Sequence, residues 1–120
     1  MRTGRTDVVN RTAGVTEVTD ADFEEQVLGA DLPVLVEFTA DWCAPCRQMG
    51  PVLGALADEE GHRLKVVKLD VDTNPETARA YRVLSMPTFL VFREGEPVRS
   101  MVGARPGRRL RAELEDADVL

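Results

Sequence analysis

The chain has 120 residues, 43% apolar and 30% charged, with a formal net charge of -6. That length suits one domain with a single core, the acidic balance argues against nucleic acid as a partner, and no apolar run is long enough to span a membrane. The opening stretch MRTGRTDVVNRTAG has basic residues but no apolar leader segment, so a cytoplasmic location is the expectation.

Residues 1–13 carry Arg2, Arg5 and Arg11, are polar and lack periodicity. They read as a flexible tail ahead of one domain at 14–120. Val15 to Val18 predicts a short strand. Thr19 or Asp20 then caps a helix that buries Phe23, Val27 and Leu28 and stops at Gly29. Pro33-Val34-Leu35-Val36-Glu37-Phe38-Thr39 is an almost unbroken β-branched and aromatic run, the mark of a strand covered on both faces. Met49, Val52, Leu53 and Leu56 recur at helical spacing as far as Gly61, with Pro51 expected to kink that helix.

Leu64 to Asp70 predicts another strand, and Asn74-Pro75 caps and starts a short helix through Tyr81. Residues 87–92 read as a strand, Glu94-Gly95 as a hairpin turn, and Val98 to Val102 as the returning strand ended by Gly103. Pro106 opens a last helix with Leu110 and Leu114 inward and Glu113 and Glu115 outward. Asp58, Glu59 and Glu60 read as another solvated acidic face, and His62 as an exposed loop residue. The order β-α-β-α-β-α-β-β-α predicts an α/β fold: one mixed sheet flanked by helices on both faces.

Both cysteines fall in Asp41-Trp42-Cys43-Ala44-Pro45-Cys46, between the first long strand and a helix. A loop this short closed by a disulfide gains little stability. A zinc site would need carboxylates or a second subunit beside two cysteines and His62. Redox chemistry is the remaining reading, and it needs support from the structure around the pair. Cys43 at the helix start meets unpaired N–H groups and the positive end of the helix dipole, which favour its thiolate. Cys46 lies three residues on, on the same face and one turn deeper, so the two sulfurs can bond without unfolding the helix. Cys43 then attacks a partner's disulfide, and Cys46 resolves the mixed disulfide. Pro45 is tolerated in a first turn. Arg47, next to the pair, is a residue that can tune it.

Cys46 needs a base. Glu37 interrupts the buried apolar strand, where a carboxylate should have a raised pKa and act as proton acceptor. Lys68, in the strand Leu64 to Asp70, is its expected partner; the chain has thirteen arginines but two lysines. The alternative is that either side chain reaches solvent at a strand end.

Residues 15–120 resemble the thioredoxin family. The resemblance rests on Trp42-Cys43-Ala44-Pro45-Cys46, the following Pro51, Lys68-Leu69-Asp70-Val71-Asp72, Ser85-Met86-Pro87-Thr88 and Val102-Gly103-Ala104. It implies the thioredoxin fold, Cys43 as nucleophile, Cys46 as resolving cysteine, and a cis bond at Met86-Pro87. It also implies a client-binding surface of Trp42, Met86, Pro87 and Gly103, on which a peptide adds as a strand. Glu37 stands where the family usually has Asp, Ala44 replaces the commoner Gly and with Pro45 tunes the potential, and Thr39 replaces a frequent second tryptophan. The implied activity is general protein-disulfide reduction by a monomer with no bound cofactor. Electrons come from NADPH through a separate flavoprotein, thioredoxin reductase; the chain has no dinucleotide fingerprint of its own. An oxidase or isomerase of the same fold, and a binding module without redox turnover, remain alternatives.

Overall fold

The computed structural model describes residues 14–120; the tail predicted at 1–13 lies outside them. A five-stranded sheet has the order β1-β3-β2-β4-β5. Its strands are β1 (Thr16–Val18), β2 (Val34–Thr39), β3 (Lys65–Asp70), β4 (Thr88–Arg93) and β5 (Glu96–Val102). β1, β3 and β2 run parallel, whereas β4 is antiparallel to both β2 and β5. The sheet is therefore mixed, with the apolar run of β2 at its centre. The helices are α1 (Glu24–Leu28), α2 (Ala44–Gln48), α3 (Gly50–Glu60), α4 (Pro75–Ala80) and α5 (Gly107–Asp116).

Strand alternation divides the core between the two faces. Val34, Val36 and Phe38 of β2 join Phe23, Val27, Val67, Leu69 and Phe92 in one cluster. Leu35 points the other way and joins Met49, Leu53, Phe89, Leu110 and Leu114 beneath α3 and α5. By the same parity Glu37 shares the face of Leu35, not that of Phe38. No helix of the described residues is long and apolar enough to cross a membrane.

Local details differ from the sequence-based expectations. Neither possible cap acts on the first helix, whose N-cap position is Phe23 with no side-chain hydrogen bond; in the turn before it the Thr19 hydroxyl accepts from the Asp22 N–H at 3.2 Å, and the Thr19 N–H donates to the Asp22 carboxylate at 2.7 Å. The helix then widens to π winding, and the Gly29 N–H reaches back to the Glu24 carbonyl at 2.8 Å. Asp20 caps a different helix. Its carboxylate accepts from the N–H groups of Glu76 and Thr77, at 3.0 and 2.9 Å, and from the Thr77 hydroxyl. Asn74 does not cap α4; its amide oxygen accepts from the Asp20 N–H at 2.8 Å. The helix expected to kink at Pro51 is broken into α2 and α3 at Met49. Pro51 has no N–H for the Arg47 carbonyl, so the ladder cannot continue there.

The acidic faces are not simply solvated. Glu113 chelates Arg105, and its side chain is 16% exposed. Glu60 pairs with Arg63 and Arg111, and Glu59 with Arg111, tying α3 to α5. His62 is exposed in the turn after α3, as expected.

Candidate active site

The end of β2 and the start of α2 position the cysteines. Cys43 is the N-cap of α2, with extended backbone (φ -90°, ψ 105°), and its Sγ accepts the Cys46 N–H at 3.2 Å. A capping sulfur in this position is stabilised as an anion by that amide and by the helix dipole. Cys43 and Cys46 are joined by a disulfide, with Cα atoms 5.3 Å apart. Ala44 and Pro45 are exposed between them, and Pro45 lies in the first turn, where its missing N–H costs nothing.

Each cysteine is 4% exposed, so burial alone does not separate their roles. Their surroundings differ. Cys43 Sγ lies 3.6 Å from the Met86 carbonyl, on the side of the loop before β4. Cys46 instead lines a cavity of about 630 Å³ shared with Glu37, Thr39, Lys68 and Asp70. Ala40, Val71 and Met86 complete the apolar packing around the sulfurs.

Glu37 is 3% exposed, and its Oε2 has no hydrogen-bond partner among the described residues. Burial pushes its carboxyl up to about 7, against a downward pull from Lys68. Lys68 is its register partner across β2 and β3, but the two form no contact ion pair. The expected pairing is thus electrostatic across the cavity rather than a salt bridge. That keeps Glu37 titrating near neutrality; a bonded lysine would have fixed it as a carboxylate.

Trp42 is 65% exposed, and its indole N–H donates to Asp72 Oδ2 at 2.8 Å. Arg47 is tied down in turn: one guanidinium N–H donates to the Asp41 carbonyl at 2.7 Å. The Met86-Pro87 bond is cis. The loop holding it is closed by the Thr88 hydroxyl, which donates to the Ser85 carbonyl at 2.6 Å. Gly103 N–H donates to the Pro87 carbonyl at 2.8 Å, and Gly103 has φ +99°, a conformation that favours glycine.

Direct contacts therefore link Cys43 to Met86, and Pro87 to Gly103. Trp42 stands on the neighbouring loop, and Glu37 and Lys68 face the cavity behind Cys46. Sequence reasoning missed Asp72 as the anchor of Trp42, although Asp72 ends the quoted Lys68–Asp72 motif. It also missed Arg105, whose partner Glu113 lies eight residues on, with no spacing that signals the pair. No group of three or more His, Cys, Asp or Glu side chains among the described residues is arranged to hold a metal ion.

Comparison with known proteins agrees with this geometry. The family model described as thioredoxin matches residues 14–116. A thioredoxin of Mycobacterium tuberculosis is 51% identical over 100 residues, covering 83% of this chain and 86% of the relative. A thioredoxin of Porphyra purpurea is 46% identical over 100 residues, covering 83% of this chain and 94% of the relative. A bifunctional thioredoxin reductase/thioredoxin of Mycobacterium leprae is 50% identical over 115 residues; the match covers 95% of this chain but 25% of that protein's length.

Proposed function

Because this chain belongs to the thioredoxin family, whose members are disulfide oxidoreductases, we propose that it is a general protein-disulfide reductase. The observation that carries the proposal is the Cys43–Cys46 disulfide at the start of α2, with one sulfur capping the helix and the other facing the Glu37 cavity.

In the reduced protein the Cys43 thiolate attacks one sulfur of a client disulfide. The S–S bond of the client breaks, its second sulfur leaves as a thiolate that takes up a proton, and Cys43 is joined to the client. Glu37, as carboxylate, accepts the proton of Cys46 across the cavity that both line. The Cys46 thiolate attacks Cys43 Sγ and releases the client's first sulfur. The client has gained two electrons and the cysteine pair has lost them. Lys68 keeps Glu37 from becoming too strong a base to ionise near neutral pH. Ala44 and Pro45, between the two sulfurs, help set the potential at which the pair cycles.

Client binding is assigned to Trp42, Met86, Pro87 and Gly103. The exposed indole and the cis-proline loop offer apolar surface and backbone groups beside Cys43. Recharging is assigned to a separate NADPH-dependent thioredoxin reductase, a pairing supported by the relative whose name joins the two activities. A reductase of this kind works in a reducing compartment, and we assign it to the cytoplasm, as a monomer.

The test is reduction of insulin disulfides with NADPH and a thioredoxin reductase, following NADPH consumption. Turnover that requires this chain and disappears in Cys43→Ser supports the proposal. An inert wild-type protein that still binds clients would favour the binding module instead.

A further inference from the structure

We infer that Arg105 is a positioning residue that holds the client-facing backbone in its working shape; this rests on the reading that the Gly103 segment binds clients. The Arg105 side chain is 3% exposed, and all three nitrogens of its guanidinium are engaged. Nε donates to the Gly103 carbonyl at 3.0 Å, and Nη2 donates to the Val102 carbonyl at 2.6 Å. Nη1 donates to both carboxylate oxygens of Glu113, at 2.7 Å each. Arg109 stands 3.6 Å from the same carboxylate, and the guanidinium lies 6.0 Å from the centre of the Phe89 ring.

Two features separate this cluster from ordinary core packing. A buried ion pair is a poor way to gain stability, because desolvation offsets most of its attraction and an apolar side chain often serves as well. What the charge does here is orient two peptide planes at once, a task suited to a planar, multi-donor guanidinium. The second feature is where those planes lie. Val102 is 60% exposed, and nothing beyond the adjoining residues of the chain comes within 4 Å of where a Cβ on Gly103 would sit, so the outer side of the segment is open to another chain. With the Gly103 and Val102 carbonyls turned inward onto Arg105, the segment presents its apolar side outward. The Gly103 N–H on the Pro87 carbonyl passes that order to the cis-proline loop, which meets Cys43. Arg105, anchored on α5 by Glu113, thus fixes the rim on which a protein client lies, with no hydrogen bond of its own to either sulfur.

The consequence is a difference between substrates. A protein disulfide uses the rim; a small aryl disulfide such as dithiobisnitrobenzoate needs the sulfur alone. Arg105→Met keeps the length and apolar bulk of the side chain but removes its donors. It should raise KM for insulin by roughly threefold to tenfold, the effect of loosening one or two charge-assisted hydrogen bonds, with kcat little changed. The rate with the aryl disulfide should stay at the wild-type value. Arg105→Lys, which restores the charge and part of the bonding, should recover part of the KM. Should Arg105→Met fail to fold by circular dichroism, the same comparison is read on Glu113→Gln, which frees the anchored end of the guanidinium. Equal KM for insulin in folded variant and wild type overturns the inference, as does an equal loss on both substrates. A wild type that reduces no insulin at all overturns the client-binding reading beneath it.

Discussion

Glu37→Gln gives the sharpest physical test of the cavity behind Cys46. The carboxyl ionises at about 7 in the folded protein against 4.5 in an unperturbed side chain, because burial penalises its charge. Between those values the folded chain holds a proton that the unfolded chain has lost. Stability therefore falls as pH rises from 4.5 to about 7 and stays reduced above that. The difference corresponds to about 3 kcal/mol of cost from ionised Glu37 above neutral pH. Glutamine has nearly the shape of the protonated acid and no charge to desolvate. In urea unfolding of the oxidised proteins, Glu37→Gln should match wild type near pH 4.5 and exceed it by up to about 3 kcal/mol near about pH 8, a midpoint shift on the order of 1–2 M. The cysteines do not titrate in the oxidised form, and His62 is exposed in both proteins, so the difference isolates position 37. A stability difference that does not vary with pH would refute the reasoning. The same variant should reduce insulin more slowly above neutral pH, where wild-type Glu37 is a base.

Lys68→Met removes the charge that holds Glu37 down, so in the variant the fall in stability should begin at the same pH as in wild type but continue to a higher pH; an unfolding profile that ends its fall where wild type does would show that Lys68 does not act on Glu37. Asp20→Ala deletes the cap on α4 and should cost about 1–2 kcal/mol in thermal or urea unfolding while leaving the reduction potential alone. Cys46→Ser should trap a Cys43–client disulfide that survives a non-reducing gel, and Cys43→Ser should trap none; capture by both variants alike would contradict the assignment of nucleophile and resolving cysteine.

The elements that carry the site were legible because their signals are local. The apolar run 34–38 marks a strand covered on both faces, and the single acid that interrupts it, Glu37, stands out for that reason. Trp42-Cys43-Ala44-Pro45-Cys46 and Met86-Pro87-Thr88 are contiguous motifs, and the fold brings them together as the resemblance implied. What was misread depends on distant partners. Asp20 sits in an N-cap pattern for its own helix, yet it caps one more than fifty residues away, because the end of β1 brings it beside α4. Glu113 looked outward beside Leu110 and Leu114, but a position three residues from Leu110 lies on the flank of the buried stripe, within reach of Arg105. The break between α2 and α3 was half legible: Pro51 announced a disturbance of the helix, but not that the helix would be interrupted at Met49.

The central claim is that Cys43 and Cys46 form a reducing redox pair. It is tested most directly by the midpoint potential of that pair, read from Trp42 fluorescence in graded dithiothreitol buffers with Cys46→Ser as control. The wild-type pair should show one reversible two-electron transition at about -270 mV, the value known for thioredoxin, and the control none. A midpoint around -180 to -120 mV, in the range of isomerases and oxidants, or no transition in the wild-type protein, would contradict it.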